Sequence, residues 1–398
     1  MAQLDKLLNN LCPDGVEYKT LEELFLTRNG YTPSKTNPAY WRNGTIPWFR
    51  MEDIRANGRI LTQALQYVSD KAIKDKPFPA NSIIVATSAT IGEHALLTVE
   101  SLANQRFTYL ILKEQYKALF DIKFLYYYCF KLDEFCLQHL KLGNFASVDM
   151  SKFAKFLFPI PPLEVQQEIV QILDQFTQLT AELNAELDGE LNARKQQYRY
   201  YRDQLLASKR DTPVCKMGDV LTFLNGRAYK QSELLRKGKY PVLRVGNFYT
   251  NDSWYYSDLE LPEDKYCNKG DLLYSWAATL GPQIWDGGKC IFHYHIWKVL
   301  FDSDSIDREY LYYYLQYDLE LISRSTTKST MVHVSMESMK KRLIPLPPIQ
   351  EQKRIASLIG KFDALCNDLT SGLPAEIGAR QKQYEYYRDK LLTFKEKA

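Results

Sequence analysis

The residues of this chain closest to a reactive cluster are Cys290, His293 and His295, a Cys-x-x-His-x-His run. Strand alternation puts His293 and His295 on one face, where paired imidazoles could ligate a metal. The chain repeats internally, and the matching places in its first half hold Asn104 and Arg106, which are not ligands of that kind. Asn-Pro-Ala-Tyr (37–40) approaches the tetrapeptide with which adenine methyltransferases hold a target amine beside an aromatic ring. It lacks the second proline, and no glycine-rich cofactor loop follows a strand nearby, so it reads as a turn before Trp41. Pro-Glu-Asp-Lys (262–265) resembles half of a nuclease metal site but has no second carboxylate spaced to complete it. The sequence contains no GxxxxGK[ST], GxSxG or HExxH motif. A metal site and intrinsic catalysis are therefore not expected.

Composition sets wider bounds. The 398 residues suffice for two or three domains, with 45% hydrophobic and 25% charged residues, as in soluble globular proteins. Net charge is only +3, so any polyanion-binding charge must be local or be supplied in part by partner subunits. Tyrosine is abundant, 28 against 19 Phe, and its polar tip suits wet interfaces as well as cores. Seven scattered cysteines (12, 129, 136, 215, 267, 290 and 366) without a CxxC pair read as reduced thiols. The N-terminus has no signal-peptide pattern, and no run reaches the roughly 18 apolar residues of a membrane helix. A soluble, cytoplasmic protein is expected.

The elements that must position any site follow from the repeat. ARKQQYRYYRDQLL (193–206) matches ARQKQYEYYRDKLL (379–392) at ten of fourteen positions, at an offset of 186. Upstream, Pro159-Ile160-Pro161-Pro162 pairs with Pro345-Leu346-Pro347-Pro348, and FLYYY (124–128) with YLYYY (310–314). The register then drifts: NSIIVATSATIG (81–92) resembles GDLLYSWAATLG (270–281) at 189, IPWFRM (46–51) resembles YPVLRV (240–245) at 194, and TLEELFLTRNG (20–30) resembles KMGDVLTFLNG (216–226) at 196. A constant frame thus surrounds a varied interior.

After each proline motif, apolar residues recur at helical spacing: Ile169, Ile172, Leu173, Phe176, Leu179, Leu183, Leu187 and Leu191 in the first copy. A helix from about 164 to 206 would span about 60 Å if continuous. Gly189 leaves its continuity open, and Pro374 after Ser371-Gly372 predicts a kink or short break near 371–374 in the second copy. So narrow a stripe needs a partner, and the comparable helix is the chain's own repeat, which favours antiparallel pairing of 164–206 with 350–392 over separate packing. The expected class is α+β: two mixed α/β domains separated by long α-helices that pair as an antiparallel coiled coil, in a pseudo-twofold repeat. The boundaries are 1–158 and 210–344 for the globular halves, and 159–209 and 345–398 for the helical regions. Short strands are expected at 82–88, 107–112, 271–277 and 296–301, and helices at 123–130 and 309–316.

The repeated proline motif, long helix and ARKQQYxYYRDxLL element resemble the specificity subunits of type I restriction-modification systems, over essentially the whole chain. That resemblance implies that each globular half is a target recognition domain reading one part of a split DNA site. It implies that the helices act as spacer and docking platform, with two modification subunits giving a methyltransferase. Two restriction subunits would complete an ATP-dependent nuclease. The chain alone would be non-catalytic, with S-adenosylmethionine, ATP and Mg on the partners. The candidate DNA contacts are Arg28, Lys35, Arg42, Arg50 and Arg106 in the first half, and Arg227, Lys230, Arg244, Asn247 and Lys328 in the second. Each is equally accounted for as an exposed solvating charge; Arg50 and Arg244 rank first because they hold matching places after a strand. The pair His293 and His295 then reads as a base or phosphate contact, or as packing. Tyr198, Tyr201 and Arg202, with Tyr384, Tyr387 and Arg388, have the composition of an interface hot spot; docking of the modification subunit and packing within the helix pair explain them equally. A self-contained methyltransferase or nuclease and a coiled-coil adaptor are the competing readings.

Overall fold

In the computed structural model, which describes residues 2–141, 146–207, 211–249, 251–325, 334–367 and 372–397, the chain forms two compact units. Unit 1 holds residues 1–184 and 379–398, and unit 2 holds 185–378. Each globular half therefore takes part of its own helical segment and part of the other copy's.

Unit 1 is built on the strands β1 (Phe25–Asn29), β2 (Ile46–Phe49), β3 (Ser82–Ala86), β4 (Leu102–Ala103) and β5 (Phe107–Leu112). Strand β5 lies between β1 and β3, antiparallel to both, in a five-stranded sheet. Strand β2 pairs parallel with β4 in a separate small sheet. Every residue of β3 is buried, because both faces of the sheet are covered. Ile83 and Val85 face the core under helix α1 (Ile122–Gln138), while Ile84 and Ala86 face the core against β2 and β4.

Unit 2 repeats this plan. Strands β6 (Leu221–Asn225), β7 (Tyr240–Leu243), β8 (Leu272–Ser275), β9 (Cys290–Phe292) and β10 (Ile296–Phe301) correspond to β1–β5. Strand β10 lies between β6 and β8, and β7 pairs parallel with β9. The strands and helices expected from sequence at these places are present.

Helix α2 (Leu163–Leu206) is one uninterrupted helix of 44 residues. Gly189 does not break it; a Cβ added there would meet nothing within 4 Å. In unit 2, helix α3 (Arg308–Ser325) corresponds to α1. Helices α4 (Ile349–Asn367) and α5 (Leu373–Leu391) are separate elements, and Pro374 sits at the second position of α5, where its missing N–H costs nothing. The expected break at 371–374 coincides with the start of α5; residue 371 lies outside the described residues.

The helices pair antiparallel inside each unit. In unit 1, Phe176 meets Tyr387 with ring centroids 6.3 Å apart, and the Thr177 and Tyr384 hydroxyls lie 2.9 Å apart. In unit 2, Tyr201 stacks on Phe362 at 6.1 Å. A repeated clamp fixes each helix start. The fully buried Gln166 donates to the carbonyls of Leu119 and Pro161 and accepts from the Asp121 N–H. Gln352 does the same with Ser305, Pro347 and Asp307. The C-terminal segment closes on unit 1: the Val16 N–H donates to the Lys395 carbonyl and the Lys397 N–H to that of Val16.

Candidate nucleic-acid interface

The parallel strand pair of each unit ends in the same local construction. Beyond β2, Arg50 opens a short helix (Met51–Asn57), and its backbone N–H donates to Oδ2 of the fully buried Asp53 at 2.7 Å. Beyond β7, Arg244 precedes the short helix Val245–Tyr249, and its N–H donates to Oδ1 of Asn247 at 3.1 Å. Each guanidinium lies over an aromatic ring, Trp48 at 5.4 Å and Tyr255 at 4.4 Å. Each Nε is buried with no hydrogen-bond partner among the described residues. Asp53 Oδ2 lies 3.9 Å from the Arg50 Nε, too far for a hydrogen bond. Arg244 has no ion-pair partner among the described residues.

Opposite each arginine, the partner strand runs into a polar loop. The Asn104 N–H donates to the Phe49 carbonyl at 3.0 Å, and the His293 N–H to that of Leu243 at 2.9 Å, so Asn104 and His293 are structural equivalents. A glycine packs against each loop. Cβ atoms built on Gly30 and Gly226 would fall 2.3 Å and 2.4 Å from the carbonyl oxygens of Asn104 and His293. Only glycine permits so close an approach.

In unit 1 the aromatic residues tie the basic side chains into one edge. Trp41 packs edge-on against Trp48 at 5.1 Å and donates to the Ser34 carbonyl, which fixes the loop carrying Lys35 and Arg42. Trp48 donates to the Tyr31 carbonyl, and Tyr31 in turn bonds Ala103, next to Asn104. Lys35, Arg42 and Arg106 are exposed and make no ion pair among the described residues. Arg28 lies on β1 over the Phe78 ring at 4.7 Å, with Asp75 at 3.9 Å.

Unit 2 differs in detail. Two glutamate oxygens of Glu233 hold Arg227 at 2.8 and 3.0 Å, so its charge is neutralised locally. Asn247 spends its amide within its own loop, accepting from Arg244 and donating to the carbonyls of Asn251 and Ser253. Its two amide hydrogens are thus spent within the loop, which makes it a loop clamp and leaves only the second lone pair of Oδ1 for a ligand. Lys230 is exposed, and Lys328 lies outside the described residues. Tyr229, His293, Tyr294, His295 and Trp276 form a continuous aromatic cluster here. Burial, with His295 and Arg244 nearby, lowers the His293 pKa to about 4. Cys290 faces the other way: its thiol meets Cys267 across the antiparallel strand pair, Sγ–Sγ 3.1 Å, as alternation along β9 requires. Among the described residues no group of three or more His, Cys, Asp or Glu could hold a metal.

The helical motif divides by face. Arg202 is buried, bonds both Glu320 oxygens at 2.6 and 2.8 Å, and reaches Asp203. Arg388 is buried over Phe130 at 4.1 Å and bonds Asp389. Tyr198 is buried, and Tyr384 is half-buried against Thr177. Tyr198, Arg202 and Arg388 thus face the packed interior, and Tyr384 lies partly buried at the helix pair. Tyr200 and Tyr386 point away from that interior and are exposed by 62% and 63%, while Tyr201 and Tyr387, exposed by 45% and 38%, lie at the edge of the helix pairs against Phe362 and Phe176. Beside Tyr387 lies an apolar groove with Phe176, Leu179 and Leu183 among its walls.

Residues 13–193 and 209–379 each match the type I restriction modification DNA specificity domain. The chain belongs to this family. It is 41% identical over 385 residues to the type I restriction enzyme EcoprrI specificity subunit of Escherichia coli, covering 93% of this chain and 92% of that one. A putative type I specificity subunit from Haemophilus influenzae is 35% identical over 288 residues, covering 70% and 74%. The fold is shared with a solved structure titled for complex assembly and conformational transition of the type I R-M system, at TM-score 0.72 and 17% identity, covering 96% and 98%. The crystal structure of the HsdS subunit from Thermoanaerobacter tengcongensis follows at TM-score 0.54 and 17% identity, covering 96% and 97%. The chain is thus a DNA specificity subunit, not the catalytic subunit of its system. No helix among the described residues is long and apolar enough to cross a membrane.

Proposed function

We propose that each unit reads one half of a bipartite DNA site through the edge marked by Arg50 or Arg244, with the paired helices as spacer. One duplicated observation supports this: in both repeats an arginine lies over an aromatic ring, with a buried Nε that finds no hydrogen-bond partner among the described residues. An orphaned donor of that kind is costly unless a ligand satisfies it, and a duplex offers phosphate and guanine acceptors. In this reading Lys35, Arg42 and Arg106 add phosphate contacts in unit 1. Arg28, Arg227 and Lys230 flank the edges.

The exposed tyrosine pairs and the apolar groove beside Tyr387 support docking of one modification subunit on each helix pair, hence two per chain, with two restriction subunits completing the complex. In that assembly S-adenosylmethionine, ATP and Mg belong to the partners, which carry out adenine methylation and ATP-dependent cleavage.

The test is DNA binding by the full chain assembled with its modification partner, measured from low to moderate salt. Arg50→Ala and Arg244→Ala should each weaken specific binding by roughly 5- to 150-fold, the range of a 1–3 kcal/mol contact. Unchanged affinity and methylation in both variants would sink the assignment.

A further inference from the structure

Beside Arg50 and Arg244, the residue at the mouth of the partner strand is held in the same way in both units, although its identity differs. Asn104 accepts, through Oδ1, the backbone N–H of Arg106 at 3.0 Å. His293 accepts, through Nδ1, the backbone N–H of His295 at 3.4 Å. In each case the side chain's acceptor is bound by the N–H two residues on, so the remaining group is a donor. For Asn104 it is the Nδ2 amide, and for His293 it is Nε2–H, the tautomer that an accepting Nδ1 requires. Neither donor has a hydrogen-bond partner among the described residues. Both side chains are partly exposed at the end of the parallel strand pair.

The two are also uncharged. Asn carries no charge, and the His293 ring is partly buried, with the His295 ring at 4.8 Å and Arg244 nearby, surroundings that disfavour protonation. A neutral donor gains little from a phosphate compared with the adjacent arginine. It gains most from a directional acceptor on a base edge, such as guanine O6 or N7, thymine O4 or adenine N7.

We infer that Asn104 and His293 are specificity-determining residues, each offering one N–H donor to a base-edge acceptor in the half-site its unit reads. The assignment rests on the proposed DNA-reading role of the Arg50 and Arg244 edges. It adds that the two half-sites differ partly because an amide stands in one unit where an imidazole stands in the other.

The experiment is selection of bound duplexes from a random-sequence DNA library by the full chain assembled with its modification partner, followed by sequencing. Asn104→Ala should relax base preference about tenfold at one position of one half-site, the effect of roughly 1.4 kcal/mol, and leave the other half-site intact. His293→Ala should do the converse. Asn104→His should change the preferred base at its position. If His293→Ala fails to fold, His293→Asn carries the test and must alter preference in the same half-site. Unaltered motifs in these variants would overturn the inference, as would a uniform loss of affinity with the motif retained, which indicates a structural role. Failure of the underlying reading looks different: the unsubstituted complex selects no bipartite motif, or Arg50→Ala and Arg244→Ala change nothing.

Discussion

Replacing Gln166 by Met tests the clamp that joins the globular half to its helix. Methionine keeps the length and volume of the side chain and removes both polar atoms, so little of the loss comes from packing. Three backbone groups lose their partner: the Asp121 N–H at 2.9 Å, the Leu119 carbonyl at 2.8 Å and the Pro161 carbonyl at 2.7 Å. Gln166 is fully buried, so water cannot replace it without opening the junction. Each orphaned buried group costs about 1–3 kcal/mol, with carbonyls toward the low end, which gives roughly 3–6 kcal/mol in total. Against a domain stability of about 5–15 kcal/mol, that suffices to loosen unit 1 at moderate temperature. Denaturant unfolding, with hydrogen exchange read separately on residues 1–184 and 185–378, should show the loss in unit 1 alone. Gln352→Met should give a loss of similar size in unit 2, because its three bonds are 2.8–2.9 Å long. Losses below about 1 kcal/mol in both variants would refute the claim that these side chains satisfy otherwise orphaned groups.

Gly189→Ala should stabilise unit 2 by about 0.5–1 kcal/mol in thermal unfolding, since the added methyl meets nothing within 4 Å and helical glycine is costly. Asp133→Ala should cost unit 1 about 3–5 kcal/mol by the same assay, because it removes the carboxylate that holds Arg59 at 3.1 Å and the buried His94 at 2.7 Å. Tyr200→Ala with Tyr386→Ala should weaken pull-down of the modification subunit while leaving the unfolding midpoint of the chain unchanged; Arg202→Leu should lower that midpoint. His293 has a folded pKa of about 4 against about 6.5 unfolded. Its contribution is therefore complete above pH 6.5 and is lost as pH falls towards 4, and His293→Asn should flatten the pH dependence of unit 2 stability across that window.

The parts legible in the sequence are those whose geometry is local. The clamp, which no sequence motif singles out, nonetheless joins residues 45 apart in both copies, Asp121 to Gln166 and Asp307 to Gln352, within the constant part of the repeat. Strand burial in 82–86 and helix periodicity in 163–206 follow from side-chain alternation alone. The fate of Arg202 was not legible. A charged residue amid tyrosines suggests a surface, and only the tertiary partner Glu320, 118 residues away, makes its burial affordable. The loop-closing role of Asn247 was hidden for a related reason: amides that read bases and amides that close loops are identical in sequence, and only the carbonyls of Asn251 and Ser253 reveal the second role. The division of each helical region between units was equally hidden, because the heptad-like stripe is continuous through it.

Differences between the two reading edges fall on a constant frame. The glycine that approaches the partner loop, the arginine on its aromatic ring and the side chain that caps the arginine's N–H recur in both units. What changes is the capping residue, a buried Asp53 in unit 1 and a neutral Asn247 in unit 2, and the donor opposite, Asn104 or His293. A carboxylate beside Arg50 holds part of its charge inside the protein, whereas Arg244 keeps its full charge for a ligand. The salt dependence of binding should therefore change more on Arg244→Ala than on Arg50→Ala, since each released counterion corresponds to a phosphate that the protein had neutralised. Equal changes in slope would mean that Asp53 serves only to cap the turn.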